Sequence, residues 1–468
     1  MSSHATPPKA RFLCDDVLLA IFKLLAEEYA DLVCLLSDSA SKHAAGYIDD
    51  ERFELADSNL VAVQATLYRI ALVSRQFYNN VRHLLYQSIA IYNYKQHDML
   101  LTSVIKRPEV VDRIKSVSVV ELPGRRKSES IYRKKKRTFP GAMAFFKGLS
   151  GRFNADIPWD EQKKEVRDQA LELFVLLQLC PNLKTFHFAP SKQEFKEVFD
   201  TLIGTWEAHI PRDRQEYRFL NNVEELTLHS AILRFPFMFS RPHLRSLVLI
   251  DTQIGVQWLL ELPFTKSPSP SIRELRLLSP KKNIRSLASI ISSVERLESV
   301  TYDLESARDF TSPCGAHLVR VALDSIQIHS HCLRSLTITI ATHDEHLIDW
   351  WFARRYFSYE KDFNDFPHLS HLDIPSIFLP CDHPSMIAVL PPNIQGLSIL
   401  FLFDDATARH MLTMGVELLA QESEHFLALK RVTVRELRKS TLTLDLPVSR
   451  MARDFADRDA HFQHEWVE

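Results

Sequence analysis

The residues of this chain best suited to chemistry are its histidines, cysteines and arginines. His343 and His346 flank Asp344 and Glu345, and His329 and His331 precede Cys332. Such side chains bind metals, but a dedicated site takes them at spacings such as HExxH or paired CxxC. Neither group has those partners. Cys14, Cys34, Cys180, Cys314, Cys332 and Cys381 stand far apart in the chain, and they read as reduced, mostly buried thiols of an intracellular protein. Nucleophilic serine chemistry of the GxSxG type needs a strained turn that does not occur here. Phosphate-cradling loops need clustered glycines, because only glycine lets the backbone approach a pyrophosphate. The chain has 10 glycines in 468 residues and neither GxGxxG nor GxxxxGK[ST]. Nucleotide-dependent enzymes of those classes are excluded, and the expectation is a non-catalytic protein with no cofactor and no metal.

Charge offers binding instead. The run RRKSESIYRKKKR (125–137) has eight basic residues and one Glu. It reads as a solvated loop, and its functional reading is nuclear import or nucleic-acid contact. Over the whole chain Lys+Arg 57 meets Asp+Glu 59, a formal charge of −2, which argues against nucleic acid as the main partner. The aromatic and arginine cluster WWFARRYFSYEKDF (350–363) fits either packing under a loop or contact with a partner. No apolar run reaches the ~20 residues of a membrane helix. The start MSSHATPPKA lacks an apolar signal core, so the expected location is cytoplasmic, nuclear or both.

Ten short segments position what remains. The pattern φ-x-x-φ-x-φ, with φ apolar, recurs as IKSVSV (114–119), LKTFHF (183–188), VEELTL (223–228), LRSLVL (244–249) and IRELRL (272–277). It continues as LESVTY (297–302), LRSLTI (333–338), LSHLDI (369–374), IQGLSI (394–399) and LKRVTV (429–434). In each, the last two φ positions share one face of a strand and the residue between them faces the other way. Helical stretches lie between, such as 195–210, 256–262, 284–297 and 406–423. Pro181, Pro242, Pro270, Pro367 and Pro392 stand two residues before a segment, where proline stops a helix and launches an extended chain. Strand, turn and helix repeated at this period predict a curved solenoid.

The segments resemble leucine-rich repeats over roughly residues 114–446. Ser191, Ala231, Thr252 and Pro280 replace the family's usual Asn or Cys after the strand, which predicts irregular stacking. If the strands stack, their outward positions form one face. Eight of these are Lys or Arg, and Arg245, Arg273, Arg276 and Arg334 gather at its middle against Glu274 and Glu298. Guanidinium forks match carboxylate and phosphate, so these four are candidates for holding an acidic or phosphorylated client. The competing reading is a solvated face of mixed charge.

The amino-terminal part differs. FLCDDVLLAIFKLL (12–25) puts Val17, Ile21 and Leu25 on one helical stripe, and 63–89 carries apolar residues on several helix faces. That is more apolar surface than so small a module can bury alone, so the solenoid's end or another protein must cover the rest. This stretch resembles an F-box. Leu13, Asp15, Val17, Leu18, Leu19, Ile21 and Phe22 fall on the family's first motif. Leu67, Ile70, Ala71, Leu72, Val73, Ser74, Arg75, Phe77 and Tyr78 fall on its second. Cys14 replaces the family's proline, and an insertion of roughly 26–61 separates the two motifs.

The resemblance implies a module that docks on the Skp adaptor of a cullin–RING ubiquitin ligase through Leu13, Cys14, Val17, Leu18, Ile21, Phe22, Ile70, Val73 and Phe77. The alternative is that these helices only cap the repeats of a stand-alone scaffold. The expected fold is α/β. Residues 1–11 form a tail, 12–95 the helical module, and 96–446 a solenoid of about ten strand–helix units with a basic loop at 121–158. Residues 447–468 form a charged tail. The expected partners are the Skp adaptor and a client protein of unknown identity, with no membrane.

Overall fold

A computed structural model describes residues 86–91, 96–97, 100–101, 103–104, 107–119, 164–190, 193–209, 220–229, 232–233, 241–250, 253–254, 271–278 and 290–292. It further describes 294–304, 323–340, 363–379, 388–401, 410, 413–417, 419, 426–437, 448–456 and 460–467. The basic loop, the aromatic cluster at 350–362 and the whole F-box-like stretch up to Leu85 lie outside these residues.

The fold is α/β, with one open, parallel sheet of twelve strands in chain order. The strands are β1 (Ser88–Ile91), β2 (Ser116–Val119), β3 (Thr185–Phe188), β4 (Glu225–His229), β5 (Ser246–Ile250) and β6 (Glu274–Leu278). They continue with β7 (Ser299–Leu304), β8 (Ser335–Ile340), β9 (His371–Pro375), β10 (Gly396–Phe401), β11 (Arg431–Leu437) and β12 (His461–Val467). The chain forms two compact units, Met1–Lys135 with Leu179–Leu183, and Lys136–Gln178 with Lys184–Glu468. In the first, β1 pairs with β2. In the second, β3 to β12 pair successively.

All ten φ-x-x-φ-x-φ segments supply strands β2 to β11, and every apolar position in them is buried. Register explains this. Phe186, Leu226, Leu247, Leu275, Val300 and Leu336 lie side by side across β3–β8, so each strand adds one rung to a continuous apolar inner face. Burying each such side chain stabilises by about 1.5–3 kcal/mol. Helix α1 (Lys164–Leu179) precedes β3 and α2 (Gln193–His209) follows it. The inner face of this region holds Phe186, Phe188, Phe195 and Phe199, with Phe188 and Phe199 stacked at 4.7 Å. Short 3-10 segments occur in the connections at Pro108–Arg113, Gln327–His329, Phe363–Asp365 and Ser376–Phe378.

Two boundaries differ from expectation. Tyr86, Ile89 and Ile91 carry the same spacing as the ten segments, and Ser88–Ile91 is a sheet strand rather than the end of a helical module. Residues 447–468 are not a tail. Helix α3 (Val448–Ala456) buries Met451 and Phe455, one helical turn apart. Phe455 stacks on Phe462 of β12 at 5.6 Å, while Arg450 and Asp454 pair on the exposed side. The charges that read as a tail are the solvated half of an amphipathic helix.

A backbone ladder aligns the strand starts. Along β4–β8 the residue just before each strand accepts or donates in a shared pattern, two successive N–H groups of one rung meeting one carbonyl of the rung before. Arg245 and Ser246 donate to Glu224, Arg273 and Glu274 to Arg245, Glu298 and Ser299 to Arg273, and Arg334 and Ser335 to Glu298. Side chains in the preceding turns add bonds to the rung before. Asn182 Nδ2 donates to the Asp112 carbonyl at 2.8 Å, Ser271 Oγ to Arg241 at 2.7 Å and Asn393 Nδ2 to Pro367 at 2.9 Å. These bonds lie before the strands, whereas the family's asparagine ladder would follow them. At Gly396 the backbone passes close to a neighbouring side chain: a Cβ there would meet His371 Cδ2 at 3.1 Å.

Candidate functional site

Odd-numbered positions within each rung point away from the core and make the sheet's outer face. Its character changes along the second unit. On β3–β5 the outer side chains His187, His229, Val248 and Ile250 are buried. On β6–β8 the outer side chains Glu274, Arg276, Ser299, Thr301, Ser335 and Thr337 are half-exposed. On β3–β5 the accessible outer side chains are Thr185, Glu225, Thr227 and Ser246, nearer the strand starts.

The four arginines separate into two settings. Arg245, Arg273 and Arg334 stand on the rim, each one residue before its strand, held in line by the ladder described above. Strand spacing of about 4.8 Å puts Arg245 and Arg334 roughly 14 Å apart. Arg276 lies on the outer face of β6, in register with Thr301 and, one strand on, Thr337. Arg273 is already engaged: its Nε lies 3.9 Å from Glu298 Oε1, which also takes Arg296 at 3.3 Å, and its Nη1 donates to the Arg296 carbonyl at 3.4 Å. Among the described residues, Arg245, Arg276 and Arg334 have no carboxylate within ion-pair distance, and Glu274 has no cation. The mixed-charge reading fits the Arg273–Glu298–Arg296 group and also Arg245, which helps to lower the Glu224 carboxyl, while Arg276 and Arg334 make no ion pair among the described residues.

Elsewhere on the rim and outer face, charges satisfy one another. Lys184 donates to Glu224 at 2.6 Å, and that bond is the leading cause of a Glu224 carboxyl held below its usual range. Arg435 pairs with Asp373. Burial nevertheless raises the Asp373 carboxyl, outweighing Arg435 and the Ser398 hydrogen bond. On the inner face, His464 approaches the buried Glu436 at 3.5 Å.

Among the described residues, His97, His187, His229, His329, Cys180 and Cys332 are buried within the fold. His329 Nε2 meets the Ile291 carbonyl at 2.9 Å, and burial is the main reason its pKa is lowered. Cys332 Sγ donates to the carbonyls of Leu297 at 3.2 Å and His329 at 3.4 Å. Burial raises its thiol pKa and pushes that of Cys180 up to about 12. Thiols held protonated in this way are poor nucleophiles and ligands. Burial holds His97 at about 4 and His187 at about 3, with the neighbouring His229 as a second, smaller cause for His187. No group of three His, Cys, Asp or Glu arranged for a metal occurs among the described residues. His343 and His346 lie outside them.

Of the residues singled out for adaptor contact, Leu13, Cys14, Val17, Leu18, Ile21, Phe22, Ile70, Val73 and Phe77 all lie outside the described residues. The hydroxyls Ser299, Thr301, Ser335 and Thr337 were not singled out, although they occupy the outward places of LESVTY and LRSLTI. Their signal was that regular alternation, which marks a solvated face without ranking its residues. No helix among the described residues is long and apolar enough to cross a membrane. No protein-family model matches the chain, and no curated protein is significantly similar to it.

Proposed function

We propose that the chain is the substrate-recognition subunit of an SCF-type cullin–RING ubiquitin ligase. The reading joins two parts. The F-box-like segments at 12–25 and 63–78 dock on the Skp adaptor, and the parallel sheet, read as that of an irregular leucine-rich-repeat solenoid, receives the client on its outer face. The observation that carries the client half is the placing of Arg276 and Arg334, without an ion pair among the described residues, on and beside one accessible stretch of sheet. The adaptor half rests on the sequence motifs and their surplus of apolar helix surface.

No reactive side chain of this chain takes part. A rigid repeat array fixes the client beside the ubiquitin carrier and raises its effective concentration there. Catalysis belongs to other subunits of the ligase. The place of work is the cytoplasm, the nucleus or both, with 125–137 as an import signal.

Copurification of the Skp adaptor with the wild-type chain and with Val17→Asp/Ile21→Asp tests the adaptor half. The expected outcome is recovery with wild type and loss with the double variant, whose unfolding transition stays unchanged. Absence of the adaptor from the wild-type preparation would instead support a repeat scaffold whose first helices serve as a cap.

A further inference from the structure

Two carboxylates share one guanidinium where the outer face crosses β9–β12. Asp373 on β9, Ser398 on β10, Thr433 on β11 and Gln463 on β12 stand side by side, and two residues further along Arg435 stands beside Glu465. Arg435 nevertheless reaches across β10 and donates through Nη2 to Asp373 Oδ1. Its register neighbour Glu465 is half-exposed and pairs with no cation among the described residues. Arg431, the other guanidinium of this corner, donates to the Gln463 side-chain oxygen at 2.9 Å. The pairing with Asp373 also has a cost. Arg435 Nε is buried and has no hydrogen-bond partner among the described residues, and a buried donor left unmade is destabilising.

The choice between the two partners turns on one proton. Burial is the main reason the Asp373 carboxyl titrates above its usual range. Glu465 adds to the rise, while Arg435 and the Ser398 hydrogen bond oppose it. Protonating Asp373 removes the charge that draws Arg435 over β10. An opposite charge favours the ionised form of its partner, so the guanidinium then goes to the carboxylate still charged beside it. We propose that Arg435 is a two-position switch, held by Asp373 when that carboxyl is ionised and by Glu465 when it is protonated. The move neutralises the charge that Glu465 otherwise shows to solvent, offers Nε an acceptor, and releases the tie between β9 and β11 over Ser398. Acid thereby changes the charge of this corner while the inner face and its rungs stay in place. The other groups facing it are His371 on β9, Arg431 on β11, and His461 and Gln463 on β12, with the uncharged Thr337 of β8 beside Asp373. Of these, His371 and His461 gain charge in acid, so the test must separate them from Asp373.

A pH titration of the full chain, isotope-labelled at arginine and at the aspartate carboxyl, follows both partners by NMR. Arg435→Lys and Asp373→Asn assign the Arg435 Nε–Hε signal and the Asp373 carboxyl carbon by their absence. In the wild type the Arg435 signal moves between two limits with the midpoint of the Asp373 carboxyl. Asp373→Asn holds that signal at its acid limit even at neutral pH. Glu465→Gln keeps the acid limit from being reached and lowers the Asp373 midpoint by roughly half a pH unit, since a neighbouring negative charge is gone. His371→Gln and His461→Gln leave the movement unchanged. An Arg435 signal that stays at its neutral limit in Asp373→Asn overturns the proposal, as does an acid limit reached in Glu465→Gln. Loss of the movement in His371→Gln or His461→Gln also overturns it, by assigning the step to an imidazole. Glu465→Gln alters a half-exposed place, so it decides the matter even where Asp373→Asn fails to fold.

Discussion

Two stretches of the same outer face carry the same alternation and reach opposite ends. On β3–β5 the outward side chains His187, His229, Val248 and Ile250 are sealed from solvent, whereas on β6–β8 Arg276, Thr301 and Thr337 remain half-exposed. Place within a repeat decides which way a side chain points. It does not decide what lies over that side chain. The contrast makes those four side chains part of the interior, while Thr185, Glu225, Thr227 and Ser246 of the same stretch still meet solvent.

The sharpest way to break this contrast is to truncate one residue from each stretch. Ile250→Ala empties a buried place on β5 and lowers unfolding free energy by about 2–4 kcal/mol. Thr337→Ala changes it by no more than about 0.5 kcal/mol, as for a surface position. Denaturant unfolding of both variants measures the difference, and equal costs would erase the distinction.

Acid sharpens it next. His187 in the folded chain stays neutral down to about pH 3 because burial opposes its charge and His229 adds to the effect. The unfolded chain takes up that proton near 6.5, so more protons bind to the unfolded state throughout the interval. The neutral imidazole's contribution is full above pH 6.5. It is lost as pH falls toward 3, at up to about 1.4 kcal/mol per pH unit. His187→Leu removes this share of the slope, visible as a flatter dependence of the unfolding midpoint between pH 6 and 4. A slope identical to wild type would place His187 in contact with water.

Smaller effects come from the turns. Asn182→Ala and Asn393→Ala each lose a bond to the previous rung. At these exposed positions the cost is about 0.5–1 kcal/mol by denaturant unfolding. Arg245→Gln has the least effect, within about 0.5 kcal/mol by the same measurement, because an exposed guanidinium acting on Glu224 only through solvent-screened charge contributes little to folding. A larger loss would mean that Arg245 is engaged within the fold and unavailable to a client.

The strands were the most legible part of the molecule. Ten segments announced β2–β11 because three apolar residues at fixed offsets are required wherever a rung must cover both the inner face and the turn below it. The two remaining strands were obscured for different reasons. YQSIAI (86–91) satisfies the pattern, but it follows directly on a helical run and reads as its continuation. At β12 the matching places hold Asp459, Phe462 and His464, so only one of three is apolar. The strand is secured instead by seven register pairs with β11 and by Phe455 on Phe462.

At the site, sequence located all four arginines near the middle of the sheet. It could not tell that Glu298 pairs with Arg273 while Arg276 makes no ion pair among the described residues, since that depends on which rim carboxylate stands one rung away. Nor could it show that an identical outward place is buried at Val248 and accessible at Arg276.

Hydrogen exchange on the full chain, with and without the Skp adaptor, tests the central claim most directly. The account predicts strong new protection confined to 12–25 and 63–78, with unchanged exchange in β6–β8. No protection in those segments, or protection only across β6–β8, would contradict it.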